Sequence, residues 1–100
     1  MTEYRLVAEP RADLDVAAAY QWYENERGGL GLELLGEVGA TYNRITEDPL
    51  QYQDLGSGIR RGLLRRFPYA VYFSVEDDTV VILAALHVSR DPAEWQRRRR

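Results

Sequence analysis

Chemistry in this sequence must run through one histidine, thirteen arginines, the hydroxyls and the carboxylates, because the chain has neither cysteine nor lysine. Thiol and amine side-chain nucleophiles are therefore absent. A thiolate metal site is excluded, and a single histidine argues against a structural zinc site. No metal and no cofactor is expected. His87 is the natural general acid or base, since an imidazole titrates near pH 6.5. Its structural role would be that of a strand-end histidine hydrogen-bonded to the following loop. Arg60, Arg61, Arg65, Arg66 and Arg90 are rigid, permanently charged forks suited to phosphate. Their structural role would be pairing with acids of this chain or of a partner.

The elements that must position these residues span 59–95, IRRGLLRRFPYAVYFSVEDDTVVILAALHVSRDPAEW. The pattern predicts an antiparallel meander over about 59–88. A hairpin turning at 76–79 pairs Val75 with Val80, Phe73 with Ile82, Val71 with Ala84 and Tyr69 with Leu86, so core face meets core face. In that register His87 falls on the opposite, non-helical face with Ala70, Tyr72 and several arginines. The first strand, Ile59 to Phe67, does not alternate cleanly, and a bulge is expected there. Asp91-Pro92-Ala93-Glu94 reads as the cap and first turn of a helix over about 92–100, pinned by Trp95, with Arg97 to Arg100 fraying into solvent.

Upstream, Glu3 to Ala8 is a short strand with Tyr4, Leu6 and Ala8 on one face. Pro10 suits a first helical position, and Asp13 and Asp15 favour the positive end of the helix. Val16, Ala19, Tyr20 and Tyr23 form one apolar stripe; Leu14, Ala18 and Trp22 form a second, so this helix should be covered on two sides. Leu34, Val38, Tyr42 and Ile45 mark a second helix that stops before Pro49. The Gly28-Gly29 link makes the two an antiparallel hairpin over about 10–48. Gly36 and Gly39 each cost roughly 1 kcal/mol inside a helix, which points to close approach against Ala17-Ala18-Ala19.

One hundred residues make one domain, and 45% hydrophobic with 29% charged residues fits a globular chain. No apolar run approaches a membrane span and the first ten residues carry no signal pattern, so the expected location is cytoplasmic. The net charge of −3 hides an asymmetry, −7 over residues 1–54 against +4 over 55–100. The basic half either meets an acidic partner or nucleic acid, or is neutralised by the acidic half.

The order strand, helical hairpin, three-stranded meander and short terminal helix resembles the RelE/ParE superfamily of type II toxin–antitoxin toxins. Carrying the likeness are Ala12-Asp13-Leu14, Asp48-Pro49, Ile59-Arg60-Arg61, Arg66-Phe67-Pro68-Tyr69, His87, Ser89-Arg90-Asp91-Pro92 and Trp95. The resemblance implies an α+β fold, β-α-α-β-β-β(-α), with an antiparallel sheet packed against a long helical hairpin. It also implies a cognate antitoxin, usually a small DNA-binding dimer in a hetero-oligomeric complex, docking on Leu14, Ala18, Trp22 and Tyr42. Relatives resembling ParE inhibit DNA gyrase; those resembling RelE cut messenger RNA on the ribosome. The long hairpin favours the ParE branch. In the nuclease alternative, His87, Arg61 and Arg66 would be catalytic. Arg60, Arg65, Arg90 and Tyr72 would contact target or phosphate. A third alternative is an inactive relative that only binds its antitoxin.

Overall fold

Pro10 opens the first helix where its missing N–H costs nothing, and Gly29, at φ 91°, closes the turn after it. A computed structural model describes residues 3–99 of the chain. Its elements are β1 (Arg5–Ala8), α1 (Pro10–Glu26), α2 (Leu30–Glu47), a 3-10 turn (Pro49–Gln51), β2 (Arg60–Leu63), β3 (Tyr69–Glu76), β4 (Thr79–His87) and α3 (Pro92–Gln96). Gly29 has no side chain with which to cap α2. Glu24 of α1 takes that role, its carboxylate accepting the Gly29 and Gly31 amides at 2.9 Å each.

The close approach between the helices lies at Gly31, where a Cβ would meet the Tyr20 ring at 2.7 Å. Gly36 and Gly39, expected to mark it, are exposed with open space beside them. On α1 the stripe Val16, Ala19, Tyr20, Tyr23 packs into the core as expected. The stripe Leu14, Ala18, Trp22 is not covered by any described part of this chain: Leu14 is 68% and Trp22 57% exposed.

The sheet order is β1-β4-β3-β2. The meander β2–β3–β4 is antiparallel, whereas β1 joins β4 in parallel from Arg5↔Thr79 to Ala8↔Ile82. Side chains on one sheet face meet the helical hairpin: Val71, Phe73, Val80 and Ile82 against Leu34, Val38 and Ile45. On the other face Ile59, Ala70, Tyr72, Val81, Leu83, Ala84 and Leu86 meet Trp95 of α3. The sheet is buried on both sides, so β4 is apolar almost throughout.

The expected register holds for Val75↔Val80 and Phe73↔Ile82, then changes. Tyr72 pairs with Ala84, Val71 with Ala85, and Tyr69 with His87, leaving Leu83 as one extra residue on β4. The bulge therefore sits in β4 rather than in the first strand of the meander, where β2 pairs regularly with β3. Leu83 and Ala84 both turn toward α3, and every later side chain of β4 changes face. His87 consequently lies on the helical side, opposite to expectation, while Tyr72 stays on the other.

At the carboxyl end, Asp91 caps α3 by accepting the Ala93 amide at 2.9 Å. The helix ends at Gln96, short of the expected position 100, and Arg100 lies outside the described residues. Arg98 does not fray. It forms a two-pronged ion pair with Asp15, at 2.9 and 3.1 Å, and donates to the Leu83 carbonyl at 3.0 Å. The other Asp15 contact is the Ala85 amide, at 3.0 Å. Since β1 pairs only as far as Ile82, these side chains take over the β4 edge beyond it.

Candidate functional site

The β4 bulge aims His87 at the flank of α1 and opens a groove beside it. Ala18, Ala19 and Trp22 of α1 line it together with Tyr69, Ala85, Leu86 and His87 of the sheet, and Asp15 and Arg90 complete the lining. The cavity measures about 250 Å³. A chain of edge-on aromatic contacts ties its walls to the core. Trp22 meets Tyr23 at 4.9 Å, Tyr23 meets Phe67 at 4.9 Å and Tyr69 at 6.0 Å, and Tyr69 meets His87 at 5.4 Å. Trp22 is thus exposed to solvent while its ring keeps a T-shaped contact with the partly buried Tyr23.

His87 Nδ1 accepts the Ser89 amide at 3.0 Å and lies 2.8 Å from the Ser89 hydroxyl. An Nδ1 accepting an N–H carries no proton, so the neutral ring bears its proton on Nε2. This contact with the following turn matches the structural role open to a strand-end histidine. Burial pushes the Tyr69 hydroxyl above the ordinary tyrosine range, with Tyr23 and Asp15 adding to the rise and Arg90 opposing it. The groove hydroxyl is therefore a neutral donor near pH 7.

The basic residues do not gather around His87. Arg60 folds beneath the 3-10 turn, donating to the Tyr52 carbonyl at 2.6 Å and the Leu50 carbonyl at 3.3 Å. Arg61 pairs across the strands with Tyr72, on the face away from the hairpin. Arg65 and Arg66 donate their amides to Glu37, and the Arg66 guanidinium pairs with Glu33 at 3.3 Å and Glu37 at 3.8 Å. Among the described basic residues only Arg90 reaches the groove, with Glu94 3.8 Å away. Tyr72 is 3% exposed and stacks on Trp95 at 5.2 Å with a 12° interplanar angle, so it belongs to the second core rather than to an exposed phosphate-binding face.

Of the four residues expected to hold an antitoxin, Leu14, Ala18 and Trp22 lie along the open flank of α1. Tyr42 is half-buried against the hairpin core. Its hydroxyl is pushed up to about 12, first by burial and then by Asp13 and Asp15. Sequence reasoning missed Tyr69 as a groove wall, and it missed the Asp15–Arg98 pair. Tyr69 reads as core by alternation alone. An aspartate five residues past a helix-opening proline reads as a dipole partner, and an arginine inside a terminal arginine run carries no positional signal.

No protein-family model and no curated protein matches the sequence. Among solved structures, the protein is similar to a chain of the chromosomal ParDE TA system from P. aeruginosa. The two share 20% sequence identity at a TM-score of 0.77, over 85% of this chain and 96% of that one. The element order, the helical hairpin over the sheet and that superposition together give this chain a ParE-like α+β fold.

Proposed function

We propose that this chain is the toxin of a type II toxin–antitoxin system, held inactive by a cognate antitoxin and acting in the cytoplasm on DNA gyrase in the ParE manner. The observation that carries the reading is the open flank of α1. Leu14 and Trp22 are exposed large apolar groups aligned at helical spacing beside a preformed groove, on a ParE-like fold. An amphipathic antitoxin helix would bury that flank in the helix-in-groove mode. The chain is acidic overall, so apolar burial rather than bulk charge would supply the affinity. The dispersal of His87, Arg61 and Arg66 over three surfaces favours gyrase inhibition over ribosome-dependent mRNA cleavage.

Pulse labelling of DNA and protein synthesis in bacteria just after induction of the chain tests the target. DNA synthesis is expected to fall first, and His87→Ala is expected to leave that arrest intact. Early loss of protein synthesis, abolished by His87→Ala, would establish the nuclease reading instead. Growth without arrest from a folded chain would leave only antitoxin binding. Docking is tested with Trp22→Ala, which should arrest growth like the parent while weakening antitoxin binding by about 2 kcal/mol, the scale of a buried tryptophan anchor. Titration calorimetry against the antitoxin co-purified with the parent chain reads that loss.

A further inference from the structure

A purely apolar helix laid over the flank of α1 would strand polar groups. Three side chains with hydrogen-bond donors, Tyr69, His87 and Arg90, line the groove beside that flank. The Tyr69 hydroxyl has no hydrogen-bond partner among the described residues, and burial holds it in its protonated form near pH 7. His87 turns Nδ1 to Ser89, and its Nε2 has no partner among the described residues. Both atoms are open to solvent, since Arg98 Nε is the one buried polar side-chain atom left unpaired among those residues. Arg90 lies 3.8 Å from Glu94, in an ion pair whose side chains are 55% and 33% exposed.

The one carboxylate in the groove lining is already committed. Asp15 accepts from Arg98 through both oxygens and from the Ala85 amide through one of them. On the free protein, water satisfies the three donors. Under a covering helix they lose that water, and every donor left unmatched there costs binding free energy. The occupant must therefore bring an acceptor. A carboxylate suits the groove better than a phosphate, because Arg90 is its only permanent cation, Glu94 shares that cation, and Asp15 lies in the same lining. Ala18, Ala19 and Ala85 keep the lining low and leave about 250 Å³ for a side chain. Leu14, Ala18 and Trp22 extend about 12 Å along α1, a reach that two turns of a partner helix match.

We propose that the groove takes one Asp or Glu carboxylate from an amphipathic partner helix whose apolar residues cover Leu14 and Trp22. The carboxylate oxygens would accept from the Tyr69 hydroxyl, His87 Nε2 and the Arg90 guanidinium. This rests on the antitoxin-docking reading above and adds to it the chemistry of one contact, which would set the register of the docked helix.

Titration calorimetry with the full chain and its co-purified antitoxin tests the contact. Tyr69→Phe removes only the unpartnered hydroxyl, and Arg90→Gln alters an exposed side chain, so melts of the free variants should match the parent. Each variant is expected to bind about tenfold more weakly, the scale of one hydrogen bond to a charged acceptor. Replacing the antitoxin's Asp and Glu residues singly by Asn and Gln should reveal one position with a similar loss. That replacement should cost less against Tyr69→Phe than against the parent, the sign of direct coupling. Parent-like binding by Tyr69→Phe and Arg90→Gln, with Trp22→Ala still weakened, would overturn the carboxylate pocket and leave apolar docking standing. Parent-like binding by all three would overturn the docking reading as well. Losses spread evenly over the antitoxin's acids would mean bulk charge and no pocket. Saturable displacement of the antitoxin by a short single-stranded DNA, with the Trp22 indole N–H signal moving, would assign the groove to nucleic acid instead.

Discussion

Asp15 sits one and a half turns into α1, and its two oxygens serve an arginine from the far end of the chain and an amide of β4. With side chains 8% and 13% exposed, neither charge of the Arg98–Asp15 pair is well solvated. Removing one partner strands the other, so Asp15→Asn should cost about 3–5 kcal/mol in urea unfolding, although the amide oxygen still accepts from Ala85. Replacing both, Asp15→Asn with Arg98→Met, should bring stability back to within about 1–2 kcal/mol of the parent, since no uncompensated charge remains. A single-variant loss below about 1 kcal/mol would show the pair to be screened like a surface contact. None of this was legible in the sequence. Asp15 had the right position for a helix-dipole partner, and 83 residues separate it from the arginine it meets.

The elements were more readable than their registers. Pro10, Gly28-Gly29 and Pro49 punctuate the hairpin, and the period of Val16, Ala19, Tyr20 and Tyr23 gave its buried face correctly. Within β4, residues 80–86 are all apolar and all buried, so alternation could not reveal that Leu83 is an extra residue. His87 was placed on the wrong face for that reason alone. The inference from Gly36 and Gly39 failed differently: a glycine in a helix signals close packing only if something packs there, and a Cβ added at either would meet no other described part of the chain within 4 Å. Gly36→Ala and Gly39→Ala should therefore each stabilise the protein by about 0.5–1 kcal/mol through lower unfolded-state entropy. Thermal melts of the two variants check this; a drop in Tm would mean the glycines serve α2 in a way its packing does not display. Gly31→Ala is the contrasting control, since its Cβ would collide with the Tyr20 ring.

At the scale of the whole molecule, the sheet is a shared wall between two cores, with Phe73 facing the hairpin and the adjacent Tyr72 facing Trp95. Neither core can melt while the other keeps its wall, so urea unfolding should be a single transition. The check is a Trp22→Phe variant, whose remaining tryptophan, Trp95, reports the α3 side while far-UV circular dichroism reports the helices. The two curves should coincide; separate midpoints would make α3 an independently opening unit. That same wall is built late. β1 pairs with residues 79–82, and the α1 aspartate finds its charge partner only at residue 98. As the chain leaves the ribosome amino end first, the hairpin emerges without the strand it must cover and with Asp15 unmatched. The amino-terminal half therefore emerges as an unassembled precursor, and closure waits for β4 and Arg98, on which both halves converge. On the toxin function proposed above, the chain would be harmless until that closure, and an antitoxin would have the interval before it in which to capture the open hairpin.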